Sequence, residues 1–419
     1  MLKKTIGYVG LSHLSLSYSI SSAIKGYNIV LFDFNKKILN QLDNNLIDFN
    51  EKNILKYFKK YRKNFQLTSE ISNLKKCKII FISQDIKTNK KNESDYKPIK
   101  KYINHLDKKI EKKIPFVIQS QVIPGFCESL NIKKRKIFYH VETLIFGNAL
   151  ERATYPERII VGCDSRQKNN FDNFYNEYLK KYNCPILKMN YLSAEISKIA
   201  INLFLSSSVT IANLLSRLSD KIGANYFDIE KSLRTDMRIG KYSYLTAGLG
   251  ISGGNIERDL INLEKIFSKN KISPNFVKSI IKNSSDSKNW ISERFLDIYK
   301  KNKFKKIAVL GLSYKKDNST IKNSPSIIFL NAIKKLKINT GIYDDLINKF
   351  DGNSISDLKK AIKDAELVIL ARDFKNIDFI IKNVFSNNPK LKYCLDPFSL
   401  VNHSYIQNSK IDVIQIGKK

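Results

Sequence analysis

The sequence near the N-terminus runs Gly7-Tyr8-Val9-Gly10, continues through small residues from Ser15 to Ile24, and reaches Asn28-Ile29-Val30-Leu31-Phe32-Asp33. Apolar runs on either side of a glycine turn and a helical segment predict the order strand, turn, helix, strand. In such a βαβ unit, glycines let a pyrophosphate approach the helix N-terminus, and an acidic residue after the second strand binds ribose hydroxyls. We therefore predict a dinucleotide site at Gly7, Tyr8, Val9, Gly10 and Asp33.

The glycine turn also has a purely structural interpretation. The first predicted strand, residues 2–6, is short and carries two lysines, and Thr5 occupies the place of the first glycine in a Gly-x-Gly-x-x-Gly fingerprint. A βα turn that binds no ligand is therefore an alternative at this point. If a dinucleotide binds, Asp33 favours NAD over NADP, because a carboxylate repels a 2′-phosphate.

The rest of the chain repeats these patterns around a helical centre. Apolar runs at 78–83 and 115–120 have the length of buried parallel strands. Residues 193–222 have a long helical pattern with Gly223 as its C-cap, and strand–glycine–helix patterns return from Phe304 onward. The predicted fold is α/β, with two Rossmann-like doubly wound parallel-sheet domains joined by a central helical domain with a long helix. We place the domains at residues 1–190, 191–300 and 301–419.

Composition narrows the class of protein. The chain has 419 residues, a formal charge of +34 and no run of about 18 apolar residues, so we expect no membrane span. The five cysteines and four histidines are scattered, which predicts no metal site, no disulfide framework and a cytoplasmic location. A chain this basic is compatible with a nucleic-acid partner. We favour the alternative of a solvated lysine-rich surface, because no stacking-aromatic motif accompanies the charge.

A glycine-rich stretch carries the most specific chemistry: Gly248-Leu249-Gly250-Ile251-Ser252-Gly253-Gly254-Asn255-Ile256-Glu257-Arg258-Asp259. Closely spaced glycines let a backbone pack against a ligand. The stretch resembles the active-site loop of the UDP-glucose/GDP-mannose dehydrogenase family, Gly-x-Gly-Phe-Gly-Gly-Ser-Cys-Phe-x-Lys-Asp. In that alignment Asp259 matches the catalytic aspartate, and Asn255 replaces the nucleophilic cysteine. The resemblance implies an NAD-dependent nucleotide-sugar dehydrogenase in which Gly250 and Gly253 contact substrate.

The family's other catalytic residues have counterparts here. Its Glu-x-x-Lys-x-x-x-Asn motif, whose lysine and asparagine hold a water and stabilise charge on the substrate oxygen, matches Glu195, Lys198 and Asn202. A helix presents Lys198 and Asn202 on one face because they are four residues apart. Glu142 matches the glutamate of Pro-Glu-Phe-Leu, whereas Phe146 replaces a second glutamate. The resemblance implies a catalytic set of Lys198, Asn202, Asp259, Asn255 and Glu142.

Binding residues are implied by the same resemblance. Ser120 lies in a turn similar to Ser-Thr-Val-Pro-Pro-Gly, beside the nicotinamide ribose. Arg238 lies in a match to Asp-x-Arg-Ile-Gly, whose arginine reaches the substrate phosphates across a homodimer interface. Tyr314 and Lys315 lie in an element similar to Phe-Lys-x-Asp, and Lys322 lies in one similar to Arg-x-Ser-Pro. In the family these elements contact the nucleotide and reach towards the cofactor. The implied partners are NAD, a nucleotide sugar, with a UDP-sugar expected, and a second copy of the chain.

Asn255 separates two hypotheses. The family oxidises a sugar C6 alcohol twice, through a thiohemiacetal and a thioester, and an amide side chain forms neither adduct. We therefore expect hydride transfer from a sugar hydroxyl, at C6, without a cysteine thioester. The alternative from another class is a non-catalytic nucleotide-sugar-binding relative, altered at Thr5, Phe146 and Asn255.

Overall fold

A computed structural model describes residues 4–47, 49, 51–86, 88–89, 94–132, 134–164, 171–316, 319–355, 357–407 and 409–418. The chain forms two compact units, Met1–Ile201 and Asn202–Lys419, and the longest helix contains the boundary between them. The division into three domains expected from the sequence stays a prediction.

The N-terminal unit is built on one sheet with the strands β1 (Thr5–Val9), β2 (Asn28–Phe32), β3 (Phe65–Thr68), β4 (Ile80–Ile82), β5 (Phe116–Ile118), β6 (Ile137–His140), β7 (Ile159–Cys163) and β8 (Ile186–Asn190). Their order is β3-β2-β1-β4-β5-β6-β7-β8. Neighbours are parallel except β6 and β7, which are antiparallel. The first six strands have the order of a Rossmann fold, with the topological switch between β1 and β4.

Helices cover this sheet: α1 (His13–Ile24), α2 (Lys36–Asp43), α3 (Ile54–Lys60), α4 (Lys97–Lys109), α5 (Ala149–Thr154) and α6 (Asn173–Lys180). Side chains on the two faces of β1 enter different apolar layers, with Tyr8 in one and Val9 in the other. A sheet buried on both faces requires the near-continuous apolar strands that the sequence shows.

β1 lies later in the sequence than we predicted. We expected Gly7, Tyr8 and Val9 in the glycine turn, whereas they are inside β1 and paired with both β2 and β4. The prediction of a turn at these residues is wrong, because strand pairing on both sides outweighs the weak strand preference of a glycine. The turn itself begins at Gly10, directly after the strand.

The boundary helix, α7 (Tyr191–Ile222), confirms the predicted long helix, and Gly223 follows it with a φ of 80°. By length and composition α7 could also cross a membrane, with a mean hydropathy of 1.6 over its most apolar window. It carries buried polar side chains, among them Asn202 and Asn213. The Asn213 side chain accepts a hydrogen bond of 2.8 Å from the Gly248 backbone, as a helix packed in protein would.

The C-terminal unit has a second, wholly parallel sheet with the strands β9 (Lys306–Leu310), β10 (Asn339–Tyr343), β13 (Leu367–Leu370), β14 (Tyr393–Asp396) and β15 (Asp412–Gln415), and a hairpin of β11 (Lys349–Phe350) and β12 (Asn353–Ser354). The sheet order is β10-β9-β13-β14-β15. Its helices are α8 (Tyr226–Thr235), α9 (Asn255–Lys269), α10 (Asn275–Lys288), α11 (Trp290–Lys301), α12 (Pro325–Ile333), α13 (Leu358–Ile362), α14 (Ile377–Ser386) and α15 (His403–Gln407). The predicted α/β fold with two Rossmann-like sheets and a long helix is therefore confirmed.

Candidate active site

The turn after β1 has the geometry of a dinucleotide-binding loop. Gly10 has a φ of 88°, and a Cβ there would lie 3.0 Å from the Gln84 backbone, so a side chain would be both strained and crowded. Gly10, Ser12 and Ser15 have the spacing of the three glycines in Gly-x-Gly-x-x-Gly. The motif predicted at Thr5, Gly7 and Gly10 therefore lies five residues too early, and the two serines are binding-turn residues that the sequence pattern did not indicate.

Serine side chains brace this turn. Ser12 is the N-cap of α1; its hydroxyl accepts from the Ser15 backbone at 3.2 Å and donates to the Ser83 carbonyl at 2.7 Å. N-capping of this kind satisfies a helix-terminal N–H group. The Ser12 hydroxyl thus ties α1 to the end of β4, at the switch point of the sheet.

Asp33 follows β2 and closes the turn from the other side. Its carboxylate accepts hydrogen bonds from the backbone of Leu11 at 2.7 Å and of Asn35 at 2.8 Å. It is half-buried, so one edge faces solvent. This placement, beside the turn and at the end of the second strand, is the one that binds ribose hydroxyls in Rossmann folds.

Two buried polar atoms beside this turn have no protein partner. The Oε1 of Gln84 and the Nε2 of Gln119, after β4 and β5, make no hydrogen bond. Ser120 lies next to them, and its hydroxyl donates to the Gln84 carbonyl at 2.6 Å. Buried polar groups are normally satisfied, so an orphaned donor and acceptor here fit a polar ligand.

The C-terminal sheet has a similar turn that is closed by protein. Gly311 follows β9 with a φ of 99°, and Asp344 accepts from the Leu312 backbone at 2.7 Å. Here the Arg372 guanidinium pairs with Asp344 at 3.2 Å, and its Cγ would lie 2.5 Å from a Cβ at Gly311. Burial disfavours the charged carboxylate, but the Arg372 charge and backbone hydrogen bonds outweigh it and lower the pKa of Asp344. Among the residues that the structure describes, no arginine pairs with Asp33 in this way.

Glu142 and Lys198 form a buried ion pair in the N-terminal unit. The Lys198 Nζ lies 2.7 Å from Glu142 Oε1, and the two side chains are 9% and 7% exposed. Gln121 and the Leu144 backbone also donate to Glu142. Burial opposes ionisation of Glu142, but the Lys198 charge and these hydrogen bonds outweigh it and lower its pKa. The structure therefore brings together two of the predicted catalytic residues as a charged pair.

Glu195, one turn before Lys198 on α7, forms hydrogen bonds with backbone groups. It is fully buried and accepts from the backbone of Gly125 at 2.6 Å and of Cys127 at 2.8 Å. Burial outweighs these hydrogen bonds and raises its pKa. Glu195 fixes the turn that follows Ser120, and so it acts on the site through the backbone.

Asn202 and Asp259 meet in the C-terminal unit. The Asn202 Nδ2 donates to Asp259 Oδ2 at 2.6 Å, and Arg258 Nε donates to Asp259 Oδ1 at 3.1 Å. All three residues are buried. Each oxygen of the Asp259 carboxylate therefore accepts a hydrogen bond, and its orientation is set by α7 and α9.

The predicted glycine loop packs against the predicted nucleotide-contacting residues. Gly253 has a φ of 93°, and a Cβ there would lie 2.6 Å from the Tyr314 ring, so only glycine fits. Gly253 donates its backbone N–H to the Lys322 carbonyl at 3.3 Å, and the Lys322 side chain lies against Gly254. Gly250 packs on Ser284 of α10 instead. Lys315, beside Tyr314, is half-buried.

Asn255 is the first residue of α9 and is exposed. A helix N-terminus lowers the pKa of a cysteine placed there, and that position activates a thiol but not an amide. Two residues later, Glu257 forms a buried ion pair with Lys288 and accepts a hydrogen bond from Asn323. No sequence motif indicates this pair, since Lys288 is distant in sequence from Glu257.

Arg238 lies apart from these clusters. It pairs with Asp236 at 2.6 Å, and its side chain is 89% exposed. Met237 and Tyr242 in the same segment are also highly exposed. Within the chain as described, Arg238 contacts none of the other predicted site residues.

None of the five cysteines has an exposed side chain. Cys77, Cys127, Cys163 and Cys394 are buried, and Cys184 is half-buried. Burial raises the pKa of Cys127, and the nearby Glu195 raises it further. In the part of the chain that the structure describes, no group of three or more His, Cys, Asp or Glu residues is arranged to hold a metal ion.

Comparison with known families and proteins covers most of the chain. The matching family models are described as the NAD binding domain (residues 4–179), the central domain (192–285) and the UDP binding domain (308–403) of one family. UDP-glucose 6-dehydrogenase of Rickettsia felis is 26% identical over 396 residues, which cover 90% of this chain and 85% of that protein. UDP-glucose 6-dehydrogenase 1 of Glycine max is 28% identical over 324 residues, covering 68% of this chain and 66% of that protein.

Solved structures share the fold. The UDP-D-ManNAc dehydrogenase of Pyrococcus horikoshii superposes with a TM-score of 0.84 at 18% identity, covering 99% of each chain. A UDP-glucose dehydrogenase from Pyrobaculum islandicum gives a TM-score of 0.80 at 19% identity, covering 89% of this chain and 90% of that one. Matched along its length by three models of one family, the chain belongs to the UDP-glucose/GDP-mannose dehydrogenase family of NAD-dependent oxidoreductases that act on nucleotide sugars.

Proposed function

We propose that the chain oxidises a hydroxyl of a nucleotide sugar, the C6 hydroxyl of a UDP-sugar, and does so without a covalent cysteine adduct. The observation that carries this proposal is the exposed Asn255 at the start of α9, on the same helix as the buried Asp259. The cysteine position has lost its thiol, whereas Asp259 keeps its hydrogen bond with Asn202. The two relatives named UDP-glucose 6-dehydrogenase, from Rickettsia felis and Glycine max, support the choice of substrate class.

The N-terminal turn would hold NAD. Gly10 and the N-terminus of α1 suit the pyrophosphate, and Asp33 suits the adenosine ribose. The unpartnered Gln84 and Gln119 atoms suit polar groups of the cofactor. When bound, NAD accepts the hydride that the alcohol carbon loses.

Removing a hydride from an alcohol also requires the hydroxyl proton to leave. Lys198 and Asn202, four residues apart on α7, would supply donors that stabilise the developing negative charge on oxygen. Glu142 holds the Lys198 ammonium in place through their 2.7 Å contact. The products of this step are an aldehyde, a proton and reduced cofactor.

A second oxidation would need no thiol if the aldehyde is hydrated. We infer that Asp259 accepts a proton from the attacking water or from the hydrate, which then loses a second hydride and becomes the acid. Asn202 and Arg258 hold both carboxylate oxygens and so orient the group for this task.

The nucleotide would bind around Tyr314, Lys315 and Lys322, which contact or flank the Gly253–Gly254 backbone. Arg238 would complete a neighbour's site in a cytoplasmic homodimer, because a phosphate needs such a cation and its own chain leaves Arg238 exposed. The apolar exposed face of α7 supports the dimer: Ile196, Phe204, Ile211, Leu214, Leu218 and Ile222. An apolar face of this extent marks an interaction site.

The test is the stoichiometry of NADH formed per UDP-sugar consumed. A ratio near one indicates an aldehyde product, and a ratio near two indicates an acid. In both cases thiol-blocking reagents should leave the rate unchanged, since no cysteine takes part. A sugar adduct trapped on any cysteine would refute the mechanism, and no NADH from any UDP- or GDP-sugar would favour the non-catalytic binding protein.

A further inference from the structure

The C-terminal sheet has a cavity at its edge that the proposed reaction does not use. It has a volume of about 590 Å³ and lies between α12, the edge strand β10 and the β11–β12 hairpin. Apolar side chains of α12 and beside β10, the Phe350 ring and three lysines line this edge cavity. Its volume is within the range of small-molecule sites.

The walls of the edge cavity are apolar and are set by regular structure. Ile327 and Leu330 have the spacing of one face of α12, and Lys334 directly follows the end of that helix. Ile338 precedes the first residue of β10 and Thr340 follows it, so the two are two residues apart and lie on the same face of the strand. Phe350 adds a half-buried aromatic ring from the hairpin. This combination gives a planar ring a surface to pack on.

The rim of the edge cavity is cationic. Lys334, Lys337 and Lys349 are exposed around it, against one carboxylate, that of Asp351. Lys334 and Asp351 are 3.4 Å apart with side chains about three-quarters exposed, which is a weak pair. Among the described residues no carboxylate pairs with Lys337 or Lys349. An anion is therefore the charge-complementary occupant.

We propose that the edge cavity binds a nucleoside diphosphate, as a site separate from those for cofactor and substrate. The base would pack between Phe350 and the apolar face of α12, and the side-chain amide of Asn331 would face its polar edge. The phosphates would lie among the three rim lysines, whose ammonium groups suit them as point charges. The same chemistry is present in free nucleotides and in nucleotide sugars.

The edge cavity is connected to the substrate loop through one short segment. Ile321 lines the cavity, and the next residue, Lys322, accepts the Gly253 N–H at 3.3 Å. The Asn323 carbonyl then accepts from the Ser252 hydroxyl at 3.0 Å. A ligand packed on Ile321 would bias this segment and with it the glycine loop. Occupancy thus offers a way to regulate the dehydrogenase from outside its active site.

Photolabelling with 8-azido-ADP locates the site without relying on activity. The intact protein is irradiated, and labelled peptides are mapped by mass spectrometry. We expect one label near Phe350, in addition to label in the N-terminal unit at the cofactor turn. In the double variant K334E/K337E, the amount of label near Phe350 should fall about tenfold, and the amount in the N-terminal unit should not change. The matched control K359E/K382E changes two exposed lysines of α13 and α14 and should keep both.

Competition distinguishes the two sources of the ligand. Protection of the Phe350 label by UDP but not by UDP-glucose identifies free nucleotides, and equal protection admits nucleotide sugars. If K334E/K337E does not fold, Asn331→Trp, which fills the cavity, replaces it. No label near Phe350, or label there that neither K334E/K337E nor Asn331→Trp reduces, would overturn the proposal.

Discussion

Replacing Glu142 by Gln should destabilise the N-terminal unit far more than an exposed charge would. The substitution keeps the size of the side chain but leaves the Lys198 ammonium, 9% exposed, without its anion. Breaking a buried ion pair by removing one partner costs about 3–5 kcal/mol. We expect the lower end, about 3 kcal/mol, because the amide oxygen of Gln can still accept from the Leu144 backbone.

The pH dependence of this loss identifies its origin. The pKa of Glu142 is lowered in the folded protein, so its charge stabilises the fold above the unfolded-state pKa, and that contribution is lost as pH falls through the folded pKa. The difference between wild type and Glu142→Gln should therefore be full at pH 7 and shrink in the acid range below about pH 4.3.

Urea unfolding followed by circular dichroism, at a series of pH values, measures both quantities. The double variant Glu142→Gln with Lys198→Met should recover part of the loss, because it removes the uncompensated charge. A double variant as unstable as the sum of the two single variants would refute the reasoning, since it would mean that the two groups do not interact.

Three further predictions concern the two units and their assembly. Asp33→Ala should weaken NAD binding about tenfold or more in calorimetric titration, because the ribose hydroxyls lose their acceptor, and unchanged affinity would remove the assignment. Asp259→Asn should lower the rate of NADH formation by about 10²–10⁴ while nucleotide-sugar binding persists, and a near-normal rate would exclude Asp259 as the base. Charges placed on the α7 face by Phe204→Glu and Leu218→Glu should convert a dimer to monomers in sedimentation, whereas a monomeric wild type would contradict the proposed interface.

Sequence patterns predicted elements well where burial dictates composition. The apolar runs that became β4 and β5 and the periodic helix α7 were recognised because a sheet buried on both faces, and a long helix, leave repeating signals. The glycine turn was misplaced by three residues, since Gly7 inside β1 has the same local signal as Gly10 after it. Pairing with two neighbouring strands decides between them, and the local pattern does not contain that information.

Prediction of the candidate site from sequence is limited in the same way, because local patterns contain no information on long-range contacts. Family motifs led to Asn202, Asp259 and Lys198, and the structure places each of them in a buried hydrogen-bonded pair. No motif indicated the ion pair of Glu257 with Lys288, because it joins α9 to α10 through packing alone. Contacts between side chains distant in sequence become visible only after the elements have been assembled.

The proposed replacement of the catalytic thiol by Asn255 has a consequence for resistance to oxidative damage. Peroxide attacks thiolates, and a dehydrogenase that depends on an activated cysteine loses activity when that sulfur is oxidised. Here the helix N-terminus presents an inert amide, and burial raises the pKa of Cys77, Cys127, Cys184 and Cys394, which keeps those thiols protonated. Turnover by this chain should therefore continue at hydrogen peroxide concentrations that silence thiol-dependent dehydrogenases.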